Sequence, residues 1–111
     1  MLMNNLQVAS SLCRCWVSSQ IELDKMAVLA NFENDGDKSV TVSYLVVSHR
    51  TSSSGTSAVI QEGKMEVMGR SEAVLTTFRI NVMTQDSYYI ELSTFLDGRL
   101  VGQDSAEYNW K

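Results

Sequence analysis

The chain has no proline and one histidine, His49, in 111 residues. Without proline, no edge strand is blunted by a residue lacking an N–H, so that task falls to charges and bulges. With one imidazole, any catalytic triad must be built on His49, and no Gly-x-Ser-x-Gly elbow is present to carry a nucleophilic serine. Two thiols and one distant imidazole are too few for tetrahedral zinc. Positive charge is also sparse. Nine Lys and Arg, scattered from Arg14 to Lys111, stand against thirteen Asp and Glu, a net charge of −4. That balance argues against nucleic acid, which needs clustered basic residues. No apolar stretch approaches the roughly 20 residues that span a bilayer, so no membrane insertion is expected. Gly-rich phosphate loops and acidic calcium loops are missing as well. Carboxylate pairs such as Glu62 with Glu66 and Asp35 with Asp37 read as solvated turns and edges. The expectation is a non-enzyme with no cofactor and no metal, whose chemistry is that of a binding surface.

What is present is strand signal. The composition, 44% hydrophobic and 20% charged, is that of a folded protein and not a disordered one. The length fits one domain able to bury about 65% of its unfolded surface. From Lys38 to Arg50, Val40, Val42, Tyr44 and Val46 face one way and Thr41, Ser43 and His49 the other. From Val74 to Met83, Val74, Thr76, Phe78, Ile80 and Val82 point inward. From Ser87 to Leu96, Tyr88, Ile90, Leu92 and Leu96 share one face, Tyr89, Glu91, Ser93 and Phe95 the other. Met26, Val28, Ala30 and Phe32 line a further strand, and Ile21 with Leu23 a short one. Ser57–Gln61, Met65–Val67 and Arg99–Gln103 are weaker candidates. Asn34-Asp35-Gly36-Asp37 reads as a turn, Asp97-Gly98 as a type I′ hairpin, Thr51–Thr56 as a loop, and Gly63 and Gly69 as bends. Short, closely spaced strands without helical periods indicate an all-β sandwich or small barrel.

Met1 to Ser11 lacks the basic start and continuous apolar stretch of a secretory signal. It reads as a flexible arm, either the remnant of a trimmed signal with a start Met or a cytoplasmic start. The arm is assigned residues 1–17, the folded domain 18–107 and a short tail 108–111. Cys13 and Cys15 flank Arg14. In an extended strand their Cα atoms would lie about 6.5–7 Å apart, at the limit for an unstrained disulfide, so a bond there would be reducible. The alternative is two thiols in the arm with no structural task. Tyr89, Phe95, Leu45 and Val47 sit on nominally outward faces. Either that face is covered by loops or the other sheet, or it is an exposed recognition strip.

The block Val42–Arg50, the Ser-rich loop with Gly55-Thr56-Ser57, and Gln61-Glu62-Gly63 resemble the CsgC/CsgH-like family of curli accessory chaperones, the CsgH branch most. Phe78–Val82 and the closing Leu96–Val101 hairpin fit the same plan, so the resemblance covers about Ile21 to Asp104. It implies a seven-stranded immunoglobulin-like two-sheet sandwich; a monomer is expected. It further implies a periplasmic chaperone that keeps curli-type subunits from premature amyloid assembly through weak, transient contacts. A Cys-x-Cys pair occurs inside a strand in the CsgC branch. Here Cys13 and Cys15 precede the first strand expected from the pattern, so that role does not transfer. The acidic balance departs from a family for which electrostatic client binding is proposed. By strand position, Lys38, His49, Arg50, Arg79 and Arg99 are the candidates for a local basic strip, with Tyr89 and Phe95 as apolar candidates. Two other readings stand beside the chaperone: an immunoglobulin-like interaction or adhesion module, and a thiol redox protein using Cys13 and Cys15.

Overall fold

The computed structural model describes residues 12–81 and 86–109. Among the described residues seven strands run in chain order: β1 (Cys13–Glu22), β2 (Lys25–Asn34), β3 (Val40–Ser52), β4 (Gly55–Val67), β5 (Ser71–Asn81), β6 (Ser87–Leu96) and β7 (Arg99–Asn109). They form a three-stranded sheet, β1-β2-β5, and a four-stranded sheet, β4-β3-β6-β7, with every pair antiparallel. This is a two-sheet, immunoglobulin-like sandwich. Its fourth strand pairs with the third, where the constant-type immunoglobulin order places it beside the fifth.

Alternation is what closes the core. Met26, Val28, Ala30 and Phe32 of β2 are buried against Val42 and Val46 of β3 and Tyr88, Ile90 and Leu92 of β6, joined by Val67, Leu75 and Ile80. Burying a side chain of this size contributes about 1.5–3 kcal/mol. Asn34 is a buried polar plug. Its Nδ2 donates to the carbonyls of Lys38, Val67 and Met68, and its Oδ1 accepts from the Gly36 amide. These four bonds hold the β2–β3 turn onto the end of β4.

Several expectations need correction. The first strand begins at Cys13, not Ile21, so residues 13–17 belong to the sandwich and not to an arm. Leu23 is not a strand residue: it is a turn residue with φ 55° and is 98% exposed. At the other end β7 continues through Tyr108 and Asn109, residues assigned to the tail. Val74 does not point inward. A bulge opposite Ala30/Asn31 inserts Leu75, which takes the core position and leaves Val74 44% exposed. The expected Ser-rich loop is mostly ladder, with Thr51 opposite Thr56 and Ser52 opposite Gly55, leaving Ser53-Ser54 as a two-residue turn. Gly63 is no bend. It lies within β4 opposite Tyr44, and a Cβ there would fall 2.6 Å from the Tyr44 hydroxyl, so its bareness makes room for the phenol. Asp97 and Gly98 do form the tight hairpin, with φ of 51° and 78°. Residues 1–11, Val82, Met83 and Lys111 lie outside the described residues.

Candidate functional site

The outer face of the four-stranded sheet is built by the period of two. Because Val42 and Val46 face the core, Leu45, Val47 and His49 of β3 must face out, and Tyr89, Glu91 and Phe95 of β6 do likewise. Register sets them side by side: His49 opposite Tyr89, Val47 opposite Glu91, Ser43 opposite Phe95. The His49 and Tyr89 rings lie 5.8 Å apart at 32°, and His49 Nε2 is 2.9 Å from Glu91 Oε1. Tyr89 is 40% exposed, whereas Leu45, Val47 and Phe95 are half-buried by their neighbours. Flanking strands extend the apolar line, with Ile60 of β4 opposite Val47 and Leu100 of β7 opposite Phe95. Ser43, Leu45, Phe95, Glu62 and Lys64 border a shallow depression of about 380 Å³. The strip expected from outward parity is therefore one surface, neither covered by the second sheet nor fully open. Both strands that carry its centre, β3 and β6, are paired on either side.

The basic candidates are not brought together. Lys38 lies in the β2–β3 turn and Arg99 opens β7, both at the end where β3 begins. Arg50 lies at the far end of β3, where its guanidinium meets the buried Asp86 at 2.5 Å, a partner that raises its already high pKa. Arg79 is on the other sheet. It sits opposite Ala27 and reaches Glu22 at 2.9 Å across the central strand, so its stem lies over the small Ala27 side chain. His49 is the one basic candidate beside Tyr89. Three of the five are thus engaged by carboxylates, and the set spans both ends and both sheets.

The cysteines have a structural place that the sequence reading did not assign. Cys13 is buried in the core, and Cys15 packs inward against Thr94 and Gly102, where a Cβ on Gly102 would meet Cys15 Sγ at 2.9 Å. Both thiols are free. Burial pushes the Cys13 thiol up. Cys15 is raised chiefly by burial and further by Asp104, against a hydrogen bond with Thr94 that lowers it. Thiolate chemistry needs the opposite environment, an exposed and electropositive one. Arg14 does not supply it, because its side chain leaves the opposite face of β1, pairs with Glu33 and lies 5.7 Å from the Trp16 ring centroid.

Four residues of consequence escaped the sequence reading: Ile60, Leu100, Trp16 and Asp104. Asp104 Oδ2 accepts the Val17 amide at 2.8 Å, joining β7 to the edge of β1 across the two sheets. The Cys-Arg-Cys-Trp-Val alternation was the available signal for β1 and hence for Trp16. Nothing local marks Asp104, whose partner is 87 residues away.

No protein-family model and no curated protein sequence matches the chain. Solved structures do. The solution structure of R. palustris CsgH superposes with a TM-score of 0.68 at 13% identity, covering 86% of this chain and 91% of that one. The E. coli curli protein CsgC gives 0.65 at 18% identity, covering 86% and 97%. Red sea bream transglutaminase gives 0.65 at 10% identity, but the match covers 16% of that chain, one domain-sized portion of a longer enzyme. The resemblance read from the strand motifs is thus met in three dimensions: the chain has the fold of the curli proteins CsgH and CsgC over nearly their full lengths.

Proposed function

We propose that this protein is a periplasmic chaperone that holds back amyloid assembly of curli-type secreted subunits, and that it meets them on the outer face of the four-stranded sheet. The reading rests on the near end-to-end likeness in fold to CsgH and CsgC, together with the character of that face. The observation that carries the mechanism is that the aromatic and apolar side chains stand on β3 and β6, whose backbones are paired on both sides. A growing amyloid recruits a chain by offering unpaired N–H and C=O groups. A face whose backbone is saturated offers only side chains, so a client segment can rest on it without being extended into sheet. His49, Tyr89 and Phe95 provide flat contact area, while Glu62, Lys64 and Glu91 border it with charge. Contacts of this kind are weak and short-lived, which suits interference with rare nucleating species.

Fibre formation by a purified curli-type subunit, followed by dye fluorescence, tests the activity. The lag should lengthen at amounts well below one chaperone per subunit. A holdase that sequesters monomer would need near-equal amounts, and an unchanged lag even at equal amounts would leave the interaction-module reading in its place.

A further inference from the structure

The sheet edges are not equivalent. In the three-stranded sheet, β1 is held to β7 by the Asp104–Val17 bond, and β5 carries the bulge at Leu75. β7 has a second bulge, opposite Thr94/Phe95, that inserts Val101. β4 has neither device. It pairs with β3 in unbroken register from Val67 to Gly55, and among the described residues no strand lies on its other side. From Gly55 to Gln61 it carries no charge, and Gly55 to Ile60 are exposed on both faces, with Val59 58% and Ile60 62% exposed. An uncharged, exposed edge segment with apolar side chains is one that sheet proteins blunt or cover.

The sequence of β4 indicates what covers it. Set antiparallel to a second copy of itself about Val59, Gly55 faces Gly63, Thr56 faces Glu62, Ser57 faces Gln61, Ala58 faces Ile60 and Val59 faces Val59. Apolar meets apolar, polar meets polar, and no charge faces its like. Centring the pair on Ile60 sets Val59 against Gln61 and Ala58 against Glu62. Centring it on Ala58 sets Val59 against Ser57 and Ile60 against Thr56. Matching of this kind is what fixes register in a sheet. On the inner side, Val59 lines a groove of about 250 Å³ with Val46, Phe78 and Ile80, and a second Val59 would stand beside it.

We propose that two copies of the chain pair through β4, about a two-fold axis at Val59, into one eight-stranded antiparallel sheet. This interface is isologous and replaces the expected monomer. It does not depend on the chaperone reading. It occupies the edge most apt to add a strand and leaves the outer face of β3 and β6 free. One strand pair is a small interface beside the about 1,200–2,000 Å² buried in stable complexes, so weak, concentration-dependent association is expected.

Sedimentation equilibrium of the full chain between about 10 μM and about 1 mM should show the mass rising toward twice that of one chain. Ile60→Lys, a change at an exposed position, should weaken association tenfold or more while leaving the urea midpoint unchanged. Val59→Cys should be joined to its own copy by a short bismaleimide. Ser57→Cys should not, because its copy lies four residues along, about 13 Å away; the unsubstituted chain controls for Cys13 and Cys15. A monomer at the highest concentration overturns the proposal. So does association that Ile60→Lys leaves intact, or cross-linking of Val59→Cys no faster than that of Ser57→Cys.

Discussion

The four-stranded sheet presents two surfaces of opposite kind: the outer face of β3 and β6, and the edge of β4. On the face every strand is hydrogen-bonded on both sides and only side chains are offered. On the edge the uncharged, doubly exposed first half of β4, Gly55 to Ile60, offers its backbone. The first can touch an aggregating chain without lengthening it, whereas the second would accept another strand. The same contrast separates the two lateral sides of the sandwich. Asp104 and Cys15 close the β1/β7 side, while the β4/β5 side is joined by the Thr76–Gln61 bond and keeps a groove. Under the proposed function, a contact surface on the first kind of site and a partner on the second would both restrain sheet growth.

The largest effect expected is on the closed side. Asp104→Ala removes a charge-assisted bond and leaves the Val17 amide without its acceptor, which should cost about 2 kcal/mol in urea unfolding. Thr76→Val on the open side, which removes a neutral bond of 3.1 Å to Gln61, should cost about 1 kcal/mol or less. Equal losses would erase the distinction between the sides. Next comes the face. Replacing Tyr89 and Phe95 together with Ala should raise the amount of protein needed for a given lag about tenfold, a difference of about 1.4 kcal/mol in contact free energy. Little change would take the face out of the mechanism.

The thiols give a directional effect. Burial raises the folded pKa of Cys13 and Cys15, so the unfolded chain releases their protons first, near the ordinary thiol value of about 8.5. Their contribution to stability is present below that pH and is lost as pH rises toward the folded values. The urea midpoint should therefore fall above about pH 8.5 and less so in a Cys13→Ala, Cys15→Ala variant. Fast alkylation of the folded protein at neutral pH would restore the redox reading. The smallest effect belongs to the dispersed basic residues. Lys38→Glu with Arg99→Glu should change inhibition less than about twofold, roughly 0.4 kcal/mol. Raising salt from 0.1 M to 1 M, where the Debye length falls from about 10 Å to about 3 Å, should do no more. A strong salt dependence would move the contact from apolar to charged groups.

The legible parts of the fold were those with one buried face. β2, β3 and β6 each place a core residue at every second position because the core lies on one side of each, and Leu45, Val47, Tyr89 and Phe95 could be placed on the outer face by parity alone. β1 is less legible because Ser19 interrupts its apolar face near the turn, and because its inward residues include two cysteines. β4 was read in fragments because its first half is exposed on both sides, so burial imposes no period there. The basic strip failed for another reason. Side-chain parity gives the face of a strand but not its sheet, and Arg79 and His49 belong to different sheets. Pairings such as Asp104 with Val17 depend on how the sheets stack, which no local pattern encodes.

The central claim, that a client rests on a saturated face, is tested most directly by backbone amide resonances of the labelled protein in the presence of a curli-type subunit before fibres form. Line broadening should concentrate at Leu45, Val47, His49, Tyr89, Glu91 and Phe95, and the exchange protection of the β4 amides should stay unchanged. Broadening along Thr56 to Gln61, with new protection of those amides, would show the client adding a strand to the edge and would contradict the account.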